Sequence, residues 1–507
     1  MNNTEHNVTP LMKSNRWTLS QDQLAKVLMV LFLVSLIPLI AIAFYNYPAD
    51  DDFPYTVDAS VAWVQTHSLG AVVNAIIGKM IRSYQNSFGL FMHPIYNATN
   101  ALIFSIDLYF LNNWYVLAMV CLSIGYLLKG VVRGLLNASR STFWIVYTAI
   151  MILVIQFMPC IGEGVFWHAG SNHTFSAMML FVLLGLLARC HFEQSRIRKV
   201  WRIFCITFTC ACAGAVEYST LLGGTVLLVL LAVWAFKAKS PSMKYWIYTL
   251  CVMAVVIVIF SLSPGNAVRQ SAVGEPMNPV SAIVVSVLDS FDLAGSWLSP
   301  QLFAMLMLIV PVMWKPLKES RFQFSHPLLM FITCYGLYSA ALVPGVFSNY
   351  GYGAGRYMNV LYFYFLFMII GSVLYFEGSF IRWLEKQEGA LAKEFAKATF
   401  TRFSALYLVL CVFFLAMGGF AHTIMNTSSL SAAKSLLNGE AAHFRAEMEE
   451  RAEYIRITDS DETAVEPIVI RPYVFKDDKL AWQGIYGRIR YQKYYYETHY
   501  AAQQKQE

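Results

Sequence analysis

Apolar runs recur along the chain, separated by short polar gaps. About twenty mostly apolar residues is the length that crosses a hydrocarbon core as a helix. The runs fall at 27–46, 111–128, 142–160, 174–189, 203–216, 220–236, 244–262, 301–314, 326–344, 357–377 and 403–422. None has the period-two alternation of a membrane β-strand. The pattern predicts an all-α polytopic membrane protein with about eleven transmembrane helices. Residues 203–236 form almost one continuous apolar run, interrupted around Glu217, and read as two short helices. Residues 280–298 are apolar but carry Asp289 and Asp292. A span there breaks the alternation of basic gaps, so an external interfacial helix is expected.

Lys and Arg mark the cytoplasmic ends of spans. They cluster in six gaps: Lys13, Arg16 and Lys26; Lys129, Arg133 and Arg140; Arg189, Arg196, Arg198, Lys199 and Arg202; Lys237, Lys239 and Lys244; Lys315, Lys318 and Arg321; Arg382, Lys386, Lys393, Lys397 and Arg402. With these inside, residues 1–26 form a cytoplasmic N-terminal tail and 27–425 the transmembrane domain. The outer face then holds a long first loop at 47–110, with interfacial helices, and shorter segments at 161–173, around Glu217, at 263–300 and at 345–356. Residues 426–507 form a small extracytoplasmic C-terminal domain, expected to be α/β. Ser431–Ile457 has helical spacing, Pro467–Phe475 reads as a strand, and Tyr486–Tyr500 is rich in Tyr and basic residues. Ala41-Ile42-Ala43 looks like a signal cleavage site, but the first run is too long for one and a polar stretch precedes it, so a retained anchor is expected.

Composition agrees. Of 507 residues, 57% are hydrophobic, 15% aromatic and 13% charged, with mean hydropathy +0.50. A soluble domain is about 25% charged. That excludes an ordinary cytosolic enzyme, and +6 over the whole chain is no footprint for nucleic acid. The 9 cysteines lie in or beside apolar runs, which suits small buried residues rather than a disulfide framework.

The residues that carry chemistry gather on the expected outer face. Asp50-Asp51-Asp52 follows the first helix. Mutual repulsion and partial burial raise at least one carboxyl, which suits a general base; a hard divalent cation at Asp50 and Asp52 is the other use. Later in the loop, Lys79, Arg82, Tyr84, Gln85, Asn86 and His93 cluster with aromatics. Arg82 is placed to pair with an Asp, to meet a phosphate, or to snorkel at the headgroups. In Gly162–His173, Trp167 can stack on a sugar while Glu163 and His168 hydrogen-bond hydroxyls; the bland reading of Phe166 and Trp167 is an interfacial aromatic belt. Glu163, His168 and His173 lack a zinc-binding spacing. Glu217 interrupts apolar sequence, and a carboxylate at that depth is a functional candidate or a buried partner of Arg or Tyr. The Pro264-Gly265 turn delivers Asn266 and Arg269 to one place, and Arg356 ends a glycine-rich loop. Outer arginines oppose the positive-inside bias, and phosphate is a good reason for them.

Taken in order, these motifs resemble the GT-C superfamily of polytopic membrane glycosyltransferases, most closely a bacterial branch related to Gtr-type O-antigen glucosyltransferases. The resemblance lies in Asp51-Asp52-Phe53, in Phe166-Trp167-His168-Ala169-Gly170, in Pro264-Gly265-Asn266-Ala267-Val268-Arg269 and in Arg356. It implies an active site at the outer face of a bacterial inner or plasma membrane, a polyprenyl-phosphate sugar donor, a surface glycan or lipid-linked acceptor, and inverting transfer. Asp51 or Asp52 would be the base. Arg269 and Arg356 would hold the donor phosphate. From the residues themselves, Asn266 is the further phosphate candidate, and Glu163, Trp167, His168, Glu217 and Arg82 are the candidates to face sugar or acceptor. The extra Asp50 blurs the register of the base, and Ser87-Phe88-Gly89-Leu90 is a poor match to the family's W-x-G-R element. The leaving phosphate makes a metal dispensable, though a divalent cation is compatible. The competing reading is a transporter or flippase of a lipid-linked or anionic substrate, which would also use Glu217 and the arginines. Such folds show internal repeats and midplane sites, whereas no repeat is evident here and the polar groups gather at one face. A glycan polymerase or ligase without a carboxylate base is a third reading.

Overall fold

The first helix, α1 (Gln21–Ile42), starts where Ser20 and Gln23 cap each other. The Ser20 hydroxyl accepts from the Gln23 amide at 3.3 Å, and the Gln23 side chain accepts the Ser20 amide at 2.9 Å. This computed structural model describes residues 18–192, 199–348, 355–387, 389, 402–417, 427–457 and 489–504. After α1 come α2 (Asp52–Thr66), α3 (Leu69–Asn86), α4 (Met92–Ala98), α5 (Phe110–Leu128), α6 (Arg140–Gln156), α7 (Asn172–Phe192), α8 (Lys199–Gly214), α9 (Tyr218–Lys237) and α10 (Met243–Ser261). Then follow α11 (Pro264–Val273), α12 (Pro279–Trp297), α13 (Pro300–Glu319), α14 (Pro327–Ala340), α15 (Val343–Phe347), α16 (Gly355–Glu385), α17 (Ala405–Met417), α18 (Ser428–Leu437), α19 (Glu440–Ile457) and α20 (Ile489–Gln504). The strands found are β1 (Thr18–Ser20) and β2 (Arg402–Ser404), paired antiparallel.

The protein is an all-α membrane protein. Eight helical stretches are long and apolar enough to cross a bilayer: Gln21–Tyr45, Ile106–Leu135, Asn172–Cys190, Tyr218–Lys237, Met243–Ser261, Pro279–Trp297, Pro300–Glu319 and Gly355–Glu385. Arg140–Gln156, Pro327–Ala340 and Ala405–Ala416 are apolar but shorter. The expected break at Glu217 is real, with α8 and α9 on either side. α12, expected as an interfacial helix, meets the length and composition of a span. Its start is tied by the Met277 amide to the Phe347 carbonyl at 2.8 Å, and Trp297 at its end packs 5.3 Å from Tyr362. Much of its apolar face is exposed, including Val280, Leu288 and Phe291, as befits a surface against lipid.

α16 joins the two ends of the bundle. At its start Arg356 meets Glu163. Near its close the Arg382 guanidinium collects the carbonyls of Leu317, Lys318, Ser320 and Phe322, capping the last turn of α13, and pairs with Glu385 at 2.9 Å.

The described part of the C-terminal tail is helical, and it folds onto the end that carries the first loop. α18 lies on α1, where Gln156 bridges Ser35 and the Ser429 amide at 3.1 Å each. Arg445 of α19 bonds Asp107 at 2.9 Å and sits over the Tyr47 ring. α20 packs on α2: Tyr495 donates to the Leu102 carbonyl at 3.0 Å, and Ser60 meets His499 at 2.7 Å. The expected strand at Pro467–Phe475 lies outside the described residues, as do Lys13, Arg16, Arg196, Arg198, Lys393, Lys397 and the glycine-rich stretch 351–354.

Candidate active site

The acidic run is split three ways by the backbone. Asp50 adopts positive φ (36°), Asp51 is the N-cap position of α2, and Asp52 is its first residue. Asp52 is completely buried. Its Oδ2 accepts the Ala49 amide at 3.0 Å and the Tyr109 hydroxyl at 2.5 Å, and its Oδ1 accepts the Ala169 amide at 2.9 Å. Burial nevertheless dominates and pushes its carboxyl from 3.8 up to about 7. Asp51 is half-buried, and its carbonyl accepts the Tyr55 amide at 3.3 Å.

Between pH 4 and 7 the unfolded chain has lost the Asp52 proton that the native state keeps, so this group's contribution falls as pH rises through that window. Thermal melts of purified protein should show a higher Tm at pH 5 than at pH 7.5. Asp52→Asn should remove that part of the slope, and an unchanged slope would contradict it.

The 160s loop is bolted to this carboxylate. Beyond the Asp52–Ala169 bond, the Trp167 indole donates to the Ala49 carbonyl at 3.2 Å. Asn113 donates to the carbonyls of Val165 and Phe166 at 3.1 Å and accepts from Asn46 at 2.9 Å. Asn359 of α16 grips Cys160 through both backbone groups, at 2.8 and 2.7 Å. Gly164 is required there, because a Cβ would strike the Asn359 amide. These bonds bring Arg356 over the Trp167 ring (5.1 Å) and beside Glu163, whose Oε2 accepts the Arg356 amide at 3.0 Å with Nη1 at 3.5 Å.

The second arginine arrives on α11. Gly265 presses on the α3 end, where a Cβ would sit 2.5 Å from the Phe88 nitrogen. The Ser263 hydroxyl donates to the Tyr84 carbonyl at 2.6 Å. Asn266 accepts the Gly89 amide at 2.8 Å and donates to the Phe260 carbonyl at 2.7 Å. Its carboxamide is therefore spent on backbone, and it positions Arg269, which lies 5.7 Å over the Phe88 ring. Ser87-Phe88-Gly89 is thus the seat of α11.

His93, which the sequence groups with the polar residues of the first loop, packs 4.8 Å from Phe88, the ring beneath Arg269. Its Nδ1 lies 3.1 Å from the Val216 carbonyl, an acceptor only, so this nitrogen carries the proton; Nε2 then accepts from Asn97 at 3.0 Å. Burial, reinforced by the charges of Arg269 and Arg356 and opposed by the Val216 carbonyl, pushes the imidazole down to about 4. Asn172 approaches the same ring at 3.2 Å. The buried Asn97 Oδ1 has no hydrogen-bond partner among the described residues.

Three other expected site residues have structural partners. His168 is buried, stacks on Tyr96 at 4.8 Å and donates from Nε2 to the Tyr96 carbonyl at 3.1 Å; burial lowers it to about 4. Glu217 caps α9, accepting the Ser219 and Thr220 amides at 2.9 and 2.8 Å. Arg82 is exposed and ion-paired with Asp58. Asp52, Trp167, Glu163, Arg356 and Arg269 do converge on one end of the bundle. Glu377, on α16, was not singled out: it is buried, and neither carboxylate oxygen has a hydrogen-bond partner among the described residues. Among the described residues no group of three or more His, Cys, Asp or Glu comes together as a metal site.

Comparison of the chain with protein-family models, with curated proteins and with solved structures gives no match.

Proposed function

We propose that this protein is an inverting, GT-C-like glycosyltransferase. It moves a sugar from a polyprenyl-phosphate-type donor to a surface glycan or lipid-linked acceptor at the outer face of a bacterial inner or plasma membrane. The observation that carries the reading is the single hydrogen-bonded assembly of the acidic run, the Trp167 loop and Arg356, through Asp52–Ala169, Trp167–Ala49 and Glu163–Arg356. It brings an acidic run and an aromatic platform to a cation at one end of a membrane bundle. Asp51 is the base: it is half-buried at the start of α2, whereas Asp52 is completely buried and accepts three protein donors. Asp51 takes the acceptor hydroxyl proton while that oxygen attacks the sugar C1 from the face opposite the donor. The C1–O bond breaks, and its electron pair stays on the phosphate oxygen, held by Arg269 and Arg356.

On this reading eleven helices cross the membrane: α1, α5, α6, α7, α8, α9, α10, α13, α14, α16 and α17. α12 lies along the outer half, because its start contacts Phe347 and its end Tyr362, both on the site side. The N-terminus is cytoplasmic and the tail extracytoplasmic.

Phosphate binding is tested with Arg269→Ala and Arg356→Ala in nanodiscs. Each should weaken binding of undecaprenyl phosphate by about ten-fold or more, the size of one charge-assisted hydrogen bond. Unchanged affinity in both would remove the phosphate site from the account.

A further inference from the structure

We propose that His173 and Asn97 receive hydroxyl groups, and that they form the subsite for the sugar of the lipid-linked donor. The inference rests on the transferase reading and adds to it a sugar subsite built from residues outside the carboxylate–arginine assembly. Four polar side chains from two helices meet here: His93 and Asn97 of α4, Asn172 and His173 of α7. The Val216 carbonyl fixes the His93 proton on Nδ1, so Nε2 accepts and Asn97 turns its amide nitrogen to it, at 3.0 Å. The Asn97 oxygen is thereby left without a hydrogen-bond partner among the described residues, although the residue is only 1% exposed. Asn172 turns its amide nitrogen to the same imidazole, 3.5 Å from Nε2, and its oxygen to Nδ1 of His173. Facing an acceptor, Nδ1 of His173 carries the proton, so Nε2 is itself an acceptor. No described residue donates to that nitrogen.

This cluster adjoins the rings and charges of the candidate site. His93 packs against Phe88, the ring beneath Arg269, and His173 lies 6.3 Å from Tyr357, which follows Arg356 in α16. The charges of both arginines reach both imidazoles. Tyr55, one helical turn beyond Asp51, packs 5.7 Å from His93. His93, His173 and Tyr55 are all half-buried.

Donor count then decides the ligand. Asn97 Oδ1 and His173 Nε2 are two acceptors that the described residues leave unmet. A phosphate diester has no O–H and brings only further acceptors. A sugar brings several hydroxyls, each able to donate and to accept. A buried acceptor left without a donor is costly, so a ligand that supplies one gains affinity.

The test uses full-length protein in nanodiscs, read by microscale thermophoresis. The probes are undecaprenyl methyl phosphate, a diester without a sugar, and a panel of undecaprenyl-phosphate hexoses carrying glucose, galactose or mannose. Wild type should bind at least one hexose lipid about ten-fold more tightly than the methyl diester, the worth of one or two neutral hydrogen bonds. His173→Ala and Asn97→Ala should each cut that preference to about two-fold while leaving methyl-diester binding within about two-fold of wild type. His173→Gln, whose amide reaches the Nε2 position, should restore it. Monodeoxy analogues of the preferred hexose lipid add a check on the ligand side: loss of one hydroxyl should remove the preference in wild type and change nothing in His173→Ala. Equal affinity of wild type for the methyl diester and every hexose lipid overturns the inference, and water then meets these acceptors. A preference that survives either alanine variant overturns it too. If the arginine variants weaken methyl-diester binding while wild type shows no hexose preference, the inference fails and the transferase reading stands. If Arg269→Ala and Arg356→Ala change no probe, the reading itself falls, and the inference with it.

Discussion

Asp52→Ala is expected to destabilise the protein by roughly 3 kcal/mol or more, because each buried donor left without an acceptor costs about 1–3 kcal/mol. Three are orphaned at once: the Ala49 amide, the Ala169 amide and the Tyr109 hydroxyl. The damage spreads, because the Tyr109 oxygen accepts the His168 amide at 3.1 Å and Ala169 belongs to the loop that seats Trp167. A scanning-fluorimetry melt of the purified variant reads the loss. A melt like wild type would mean that this carboxylate is not the joint between the first loop and the 160s loop.

Asp51→Asn is expected to do the opposite. Asp51 is half-buried at the N-cap position of α2, and Asn has the same shape and is itself a favoured N-cap residue, so the fold should keep its melting temperature. Loss of a general base lowers turnover by about 10²–10⁴-fold. Initial rates of sugar transfer check it, and the pair of variants makes the point jointly. Asp52→Ala should fail through folding and Asp51→Asn through chemistry. Full activity in a well-folded Asp51→Asn would assign the base elsewhere.

Much of the fold was legible in the sequence. Runs expected at 111–128, 220–236 and 244–262 are the helices Phe110–Leu128, Tyr218–Lys237 and Met243–Ser261, because length and hydropathy alone define such elements. The amphipathic stretch Ser431–Ile457 is helical but broken in two, since Gly439 takes a positive φ (82°) between α18 and α19. The site was legible as a set of residue types and not as a set of roles. Asp51 and Asp52 look alike in sequence, and only partners 57 and 117 residues away distinguish them. Asn266 read as a phosphate ligand because the Gly89 amide that occupies it lies 177 residues earlier. Glu217 is an N-cap outside the usual Ser, Thr, Asp and Asn set, so its local signal was weak. His93 was visible as a polar residue among aromatics, but the rings against it, Tyr55 and Phe88, come from α2 and from just past the end of α3.

The central claim is tested most directly by sugar transfer in vesicles of wild-type protein. A panel of radiolabelled polyprenyl-linked sugars is supplied with crude surface glycan as acceptor. The account predicts that label moves to the glycan and lipid phosphate is released with at least one donor, and that Asp51→Asn and Arg269→Ala each abolish this while remaining folded. Donor that crosses the bilayer with its sugar still attached, and with no lipid phosphate released from any of the panel, would contradict the transferase and make the protein a transporter.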